Sequence, residues 1–405
     1  MIATQDNSTL PPPLFGIRVL DFSRIIAGPL CTQQLADMGA DIIKIENPDG
    51  GDDTRRLAEP GVDGMSHFFL AFNRSKRSVA MDIKDPQVQN LLRKIAGECD
   101  VVVQNFRPGV MERFGLDYAS LAELHPHLIY LSVSAYGQDG PMAHRPGFDP
   151  VLQAEYGFMS MTGEPDGPPL RHPLSIIDTM TALQAVGAIS AALYARRDNG
   201  RGQHIDLTLM DTAVAALGNA GLYYLCSDEL PPRSGNSHMT STPTNLMNTS
   251  DGTLYMALGT NRLFGQLCRD VFERPELAED PRFATPAARL ENRPELFAIM
   301  QAHFERQPRA YWLEKMRHLP AGPVRNIAEA LASDEVAHRN MVTQVENPEG
   351  PSMRLLGSPL KFSGTPIRPP GKPPRLGEHT DEVLREIANL DGEQIAALRN
   401  AGVIA

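Results

Sequence analysis

Short apolar runs alternate with amphipathic stretches over the first 200 residues, and this alternation sets the expected architecture. Ile17-Arg-Val-Leu-Asp-Phe22 predicts a strand, Gly28-Pro29 to Met38 a helix that Gly39 ends, and Asp41-Ile-Ile-Lys-Ile-Glu46 a second strand. Strand, helix, strand at this spacing is a βαβ unit with parallel strands. The pattern recurs in strand Arg77–Asp82, helix Pro86–Ala96, strand Asp100–Gln104 and strand Leu128–Ser134. The reading is a doubly wound α/β sheet. Ligands on such sheets bind beyond the carboxyl ends of the strands, here Phe22–Gly28, Glu46–Gly51, Asn105–Gly109 and Ser134–Gly140.

Further along, a helix is expected from Asp178 to Arg197, a turn over Asp198–Gly202, a strand over Gln203–Leu209 and a small-residue helix to about Cys226. Residues 227–250 are rich in Pro, Ser, Thr and Asn and read as a linker. Residues 251–330 read as a smaller α+β unit with strand Thr253–Leu258, helix Arg262–Phe272 and helices near 294–306 and 310–318. A loop-rich stretch at 343–376 precedes two amphipathic helices near 380–391 and 393–401. Residues 1–14 read as a loose arm. A length of 405 residues calls for two or three domains.

Composition narrows the class. Apolar content of 42% and charged content of 21% are those of a soluble globular protein. The formal net charge of −11 argues against nucleic acid or an anionic membrane as the main partner. No stretch is read as approaching the run of about 20 apolar residues that a membrane span needs. Cys31, Cys99, Cys226 and Cys268 are scattered, with no C-x-x-C or Cys/His cluster, so neither a disulfide framework nor a metal site is expected. A polar, Pro-rich Met1–Pro13 offers no signal core. The expected compartment is the cytoplasm.

Candidate chemistry centres on Asp178, at the start of the long Ala-rich helix. An Asp there is a good N-cap, worth about 1 kcal/mol. It is equally a carboxylate that helix N–H groups would keep ionised and able to attack. The cationic run Asn73-Arg-Ser-Lys-Arg77, with Lys84, Arg107 and Arg113, lies near strand ends and could neutralise phosphates or simply be solvated. Phe106 is either core or a platform for a flat base. His67, His144, His172 and His238 lack metal-ligand spacing. Neither G-x-G-x-x-G after the first strand nor G-x-S-x-G occurs, which removes a dinucleotide fingerprint and a hydrolase elbow.

Several segments together resemble the family III CoA-transferases, the CaiB/BaiF family of formyl-CoA transferase type. They are Gly16–Ser23, Ala27-Gly-Pro-Leu-Cys31, Gly39–Glu46, Asn73–Ser78, Asp100–Gly109, Gly200-Arg-Gly-Gln203 and Leu376–Thr380. The resemblance implies a Rossmann-like large domain built from residues 1–226 and 344–405, with 227–250 as linker. It implies a small domain at 251–330, a return segment at 331–343 and an interlocked homodimer.

The resemblance also places Asp178 at the catalytic aspartate. That residue would carry CoA between acids through an aspartyl anhydride and an aspartyl-CoA thioester. CoA contacts are implied at Ile25, Ala27, Asn47, Met81, Lys84, Asn105, Phe106, Arg107 and Arg113. Asn47 stands where the family carries a cation. The region Gly235–Pro243 is not Gly-rich, unlike the loop that covers the intermediate in some members. Acyl-CoA and carboxylic acids are the implied substrates, with no cofactor. Two rival readings are an isomerase of the α-methylacyl-CoA racemase type and a CoA-binding protein without turnover. The first needs a Gly-His-Asp context; this chain has Gly147-Phe148-Asp149, and Phe cannot move a proton.

Overall fold

The computed structural model describes residues 10–57, 59–348 and 350–405. Of the arm expected over residues 1–14, residues 1–9 lie outside the described residues. The chain divides into two compact units. The first takes in the chain up to Tyr156, Pro173–Ala216 and Asp334–Ala405; the second holds Gly157–His172 and Leu217–Ser333.

The first unit is built on strands β1 Arg18–Asp21, β2 Asp41–Glu46, β3 Arg77–Ala80, β4 Val101–Gln104, β5 Ile129–Ser134 and β6 His204–Thr208. All pairings are parallel, and the order is β3-β2-β1-β4-β5-β6. Strand β4, Val-Val-Val-Gln, is buried along its whole length, as a central parallel strand covered on both faces must be. The order reverses between β1 and β4, so the connections leaving their carboxyl ends run to opposite sides and leave a crevice.

Helices α1 Ala27–Asp37 and α2 Pro86–Gly97 supply two of the crossovers. In α2, Asp85 accepts from the N–H groups of Gln87 and Val88, Pro86 opens the helix, and Val88, Leu91, Leu92, Ile95 and Ala96 face the core. Helices α3 Asp149–Glu155 and α4 Ile176–Asn199 lie between β5 and β6. The returning chain completes the same core. Val383, Leu384, Ile387, Ile395 and Ile404 pack with Leu20, Ile43, Val79 and Val102. Ile404 bridges Met81, and Thr380 Oγ1 accepts from Ala80 N–H at 3.0 Å, which covers the edge strand β3.

Helix α4 corrects one expectation. Its 24 residues are, by length and composition, enough to cross a membrane. Its buried residues, Ile177, Thr181, Ala182, Ala185, Ile189, Ala192 and Leu193, fall on one face, and it packs against α1. That is how a core helix behaves. Small Ala residues raise its mean hydropathy without forming an unbroken large-apolar run.

The second unit also departs from the expected limits. The expected helix to Cys226 breaks at Leu217 into α5 Leu209–Ala216, in the first unit, and α6 Gly218–Ser227, in the second. The expected linker 227–250 contains a strand, β7 Thr244–Asn248, which pairs with β8 Thr253–Ala257 and, beyond it, β9 Ala321–Pro323. Its Thr-Asn-Leu-Met-Asn sequence is too polar to announce itself; pairing with β8 makes it a strand. The loop-rich 343–376 likewise holds an antiparallel hairpin, Val342–Val345 with Met353–Leu356.

Arg289 is the largest fully buried side chain and sits inside this second unit. Its guanidinium donates to the carbonyls of Thr242 (2.9 Å), Phe283 (2.8 Å) and Gly259 (2.8 Å) and to Asn261 Oδ1, over the Phe264 ring. Arg289→Met removes the donor from the buried carbonyls of Thr242 and Phe283 and the part-buried one of Gly259, and urea unfolding should show a loss of about 3–5 kcal/mol. A loss under about 1 kcal/mol would contradict that role.

Candidate active site

The loop leaving β1 is held from below by buried charges. Asp21 accepts from Ser23 N–H (2.9 Å), Thr32 Oγ1 (2.6 Å) and Lys76 Nζ (3.2 Å). Lys44 Nζ donates to the Ser23 carbonyl at 2.7 Å and pairs with Asp52 at 2.9 Å. Burial pushes Lys76 down to about 8, against the pull of Asp21. Ile25 takes φ of 73°, a costly conformation for a β-branched residue. The surrounding bonds fix it: Ile25 N–H points at Asp52 Oδ1 (3.4 Å), and Arg24 is clasped to Asn105. Asn105 Oδ1 accepts from Arg24 N–H (2.9 Å), while Asn105 Nδ2 donates to the Arg24 carbonyl (2.8 Å). This clasp ties the ends of β1 and β4 across the point where the strand order reverses. Gly28 is required behind it, since a Cβ there would lie 2.2 Å from Ser23 Cβ.

Two cavities open at these strand ends. The larger, about 490 Å³, is lined by Arg24–Ala27, Asn105–Pro108, Ser134, Ala135, Arg145–Phe148 and Asp178. The smaller, about 280 Å³, is lined by Asn47, Asp49, Met81–Lys84 and Phe106 among others. Arg24, Asp53 and Phe106 line both, and Arg24 lies over the Phe106 ring at 5.2 Å. Two carboxyl groups face the larger cavity. Asp53 is paired with Arg24 at 3.2 Å. The Asp178 carboxyl accepts no hydrogen bond among the described residues.

Asp178 is not the helix cap. It is the third residue of α4, and the capping carboxylate comes from α3. Asp149 Oδ2 accepts from Ile177 N–H at 2.7 Å and from Asp178 N–H at 3.1 Å. Asp149 Oδ1 accepts from Gln153 Nε2 at 2.6 Å. The Asp178 backbone is therefore fixed by a neighbour whose charge repels the Asp178 side chain. Burial, and then that charge, push the Asp178 carboxyl from 3.8 up to about 7. The expectation of a carboxylate held ionised by helix N–H groups is corrected, because Asp149 occupies those groups.

A stability consequence follows. In the unfolded chain Asp178 ionises near its ordinary value, but in the folded protein it keeps its proton up to about pH 7. Stability is lost as pH rises from about 4 to about 7 and stays lost above it. Asp178→Asn lacks this term. At pH 8 it should be more stable than the parent by about 2–4 kcal/mol, the pocket side of the carboxyl being open to water. At pH 4 the two should unfold together. Denaturant titrations at both pH values check this; a gap that does not vary with pH would contradict it.

The structure brings Ile25, Ala27, Asn105, Phe106, Arg107 and Asp178 to the larger cavity. It brings Asn47, Met81 and Lys84 to the smaller one, with Phe106 shared. Arg113 lies exposed in a short turn, Glu112–Phe114, outside both linings. The run Asn73–Arg77 does not offer phosphate ligands. Arg74 is buried against Asp37 at 2.6 Å, Lys76 against Asp21, and Arg77 pairs with Asp41, Glu382 and Glu386. Sequence reasoning marked the Phe22–Gly28 loop without singling out Arg24, and missed Asp53 and Arg145 as lining residues and Asp149 as the capping group. The only sequence signal for this segment was the Gly147-Phe148-Asp149 loop. Phe148 lines the cavity and is 65% exposed, and no histidine lines it among the described residues.

The profile of CoA-transferase family III matches residues 14–380. The chain belongs to CoA-transferase family III. It is 39% identical to the succinate–glutarate CoA-transferase of Agrobacterium fabrum, over 95% of this chain and 98% of that one. It is 36% identical to the human succinyl-CoA:glutarate CoA-transferase, over 97% of this chain and 90% of that one. A CaiB/BaiF family protein of Brucella suis superposes with a TM-score of 0.84 at 37% identity, covering 93% of this chain and 100% of the other. This family III member is thus a CoA-transferase with a parallel α/β sheet like that of its structural neighbour.

Proposed function

We propose that this chain moves CoA from a dicarboxylyl-CoA donor, such as succinyl-CoA, to a dicarboxylic acid acceptor through covalent intermediates on Asp178. The observation that carries the reading is the Asp178 carboxyl itself. It faces the larger cavity with its backbone fixed by Asp149 and, among the described residues, no hydrogen bond to its oxygens, whereas Asp53 is ion-paired. The donor class rests on the substrates named for the two relatives.

The steps balance without a proton. An ionised Asp178 oxygen attacks the thioester carbon, the C–S bond breaks, and CoA leaves as a thiolate. The product is a mixed anhydride. The thiolate attacks the Asp178 carbon of the anhydride, releasing the first acid as a carboxylate and leaving aspartyl-CoA. The acceptor carboxylate attacks that carbon and expels the thiolate, which then attacks the acceptor's carbonyl and restores Asp178. Each step exchanges one anion for another, so the chemistry needs no proton shuttle. A cavity lined by no histidine among the described residues suits it and disfavours the racemase reading, which requires two proton-transfer groups. A carboxylate out of bulk water is also a stronger nucleophile than a hydrated one.

The interlocked homodimer belongs to the same proposal. Phe148, Leu174, Leu183, Tyr194 and Val214 of the first unit are all at least half exposed, a load of apolar surface that a second copy would cover. The four cysteines are free thiols, in keeping with the cytoplasm. A matrix of acyl-CoA donors against carboxylate acceptors, read by chromatography, tests the substrate class. The expected result is ping-pong exchange with the diacid pairs fastest. Hydrolysis of donor without transfer to any acid would overturn the proposal.

A further inference from the structure

Arg145 stands on the larger cavity's wall in a seat that the transfer chemistry does not use. Glu155 pairs with its Nη2, and Glu155 in turn accepts from Tyr136 OH at 2.7 Å. The guanidinium carbon lies 5.3 Å from the centre of the Tyr136 ring. One carboxylate and one aromatic face therefore fix the fork. Among the described residues its Nε and Nη1 make no protein hydrogen bond, and the side chain is 42% exposed. A preorganised guanidinium with unused N–H donors can take a second carboxylate, and little side-chain freedom remains to be lost when one binds.

The seat belongs to the same loop that anchors Asp178. Gly147 lets this loop press against β5's end, since a Cβ there would lie 2.7 Å from Ala135 Cβ and 3.0 Å from the Tyr136 ring. Two residues on, Asp149 holds the Asp178 N–H. Asp149 lies four positions beyond Arg145, at most about 14 Å of chain. The other cations of the cavity are placed differently. Arg24 is paired with Asp53, stacked on Phe106 and shared with the smaller cavity. Arg107 follows Phe106 at the end of β4.

We propose that Arg145 selects dicarboxylic over monocarboxylic acyl groups by pairing with the carboxylate at the far end of the chain whose near end reacts at Asp178. This rests on the dicarboxylic reading of the substrate given above. The carboxyl that reacts must stay free to form the anhydride, so a site that favours diacids needs a separate cation for the other end. Arg145 supplies one whose position is fixed before the substrate arrives.

The test compares succinyl-CoA with butyryl-CoA, four-carbon donors with and without the terminal carboxylate, and acetate as common acceptor. Wild-type kcat/KM should favour succinyl-CoA by about 100-fold or more. In Arg145→Gln that ratio should fall about 100-fold, mainly through the KM for succinyl-CoA. The butyryl-CoA value should fall far less, which also reports that the variant is folded. Arg145→Lys should recover part of the ratio, since it keeps the charge but not the fork. A wild-type preference that survives in Arg145→Gln, or an equal loss with both donors, would overturn the assignment of Arg145 alone. A wild-type enzyme that uses both donors equally would overturn the dicarboxylic reading and this inference with it.

Discussion

Asp178→Ala should lower CoA transfer by about 10⁴-fold or more while acyl-CoA still binds. The size follows from its role. In the proposed mechanism Asp178 forms both covalent intermediates, and the other carboxyl on the cavity, Asp53, is engaged by Arg24. The surfaces proposed to bind CoA lie elsewhere: the strand-end loops at Arg24–Ala27 and Asn105–Pro108 and the smaller cavity at Met81–Lys84 do not include Asp178. A calorimetric Kd for the free thiol CoA within about threefold of wild type, beside lost turnover, is the expected pair of results. Retained turnover would remove Asp178 from the chemistry. Loss of binding and turnover together would show that Asp178 holds the pocket together instead.

Asp149 gives the second large effect, because it acts on Asp178 in two separable ways. Its charge raises the Asp178 pKa, and its oxygen fixes the first turn of α4. In wild type, kcat/KM for the donor should fall about tenfold per pH unit below about pH 7, where Asp178 takes up a proton and cannot attack, and should be flat above. Asp149→Asn keeps an acceptor for the Ile177 and Asp178 N–H groups but removes the charge. Its profile should turn at a lower pH, still above the ordinary carboxylate range because burial remains, with the plateau little changed. Asp149→Ala should shift the profile likewise and also lose about 100-fold on the plateau, since two N–H groups lose their partner and the nucleophile is no longer held. An unmoved inflection in Asp149→Asn would contradict the charge coupling. Equal plateaus in the two variants would contradict the positioning role.

The parallel sheet was legible in the sequence because its strands are short apolar runs, with amphipathic helices read after Ile17–Phe22 and Arg77–Asp82. Val101–Gln104 and Asp41–Glu46 show the apolar runs plainly, and the crevice beyond β1 and β4 follows from the alternation. Partnering was not legible. Arg74, Lys76 and Arg77 read as a cationic patch, yet each is neutralised by a residue distant in sequence, Asp37, Asp21 or Asp41. The cap on α4 was misassigned for the same reason. Cap patterns are sought within a few residues of the helix start, and here the carboxylate arrives from Asp149. Arg145 carried no local signal, because its seat is made by Tyr136 and Glu155, which only the fold brings together. The strand at Thr244–Asn248 was hidden by polarity that pairing with Thr253–Ala257 overrides.

The covalent role of Asp178 is tested most directly by trapping. Enzyme turning over an acyl-CoA donor in the presence of hydroxylamine should accumulate a hydroxamate in place of the Asp178 carboxyl, seen by peptide mass spectrometry and dependent on donor. An unmodified Asp178 peptide from enzyme that is active under the same conditions would contradict the account.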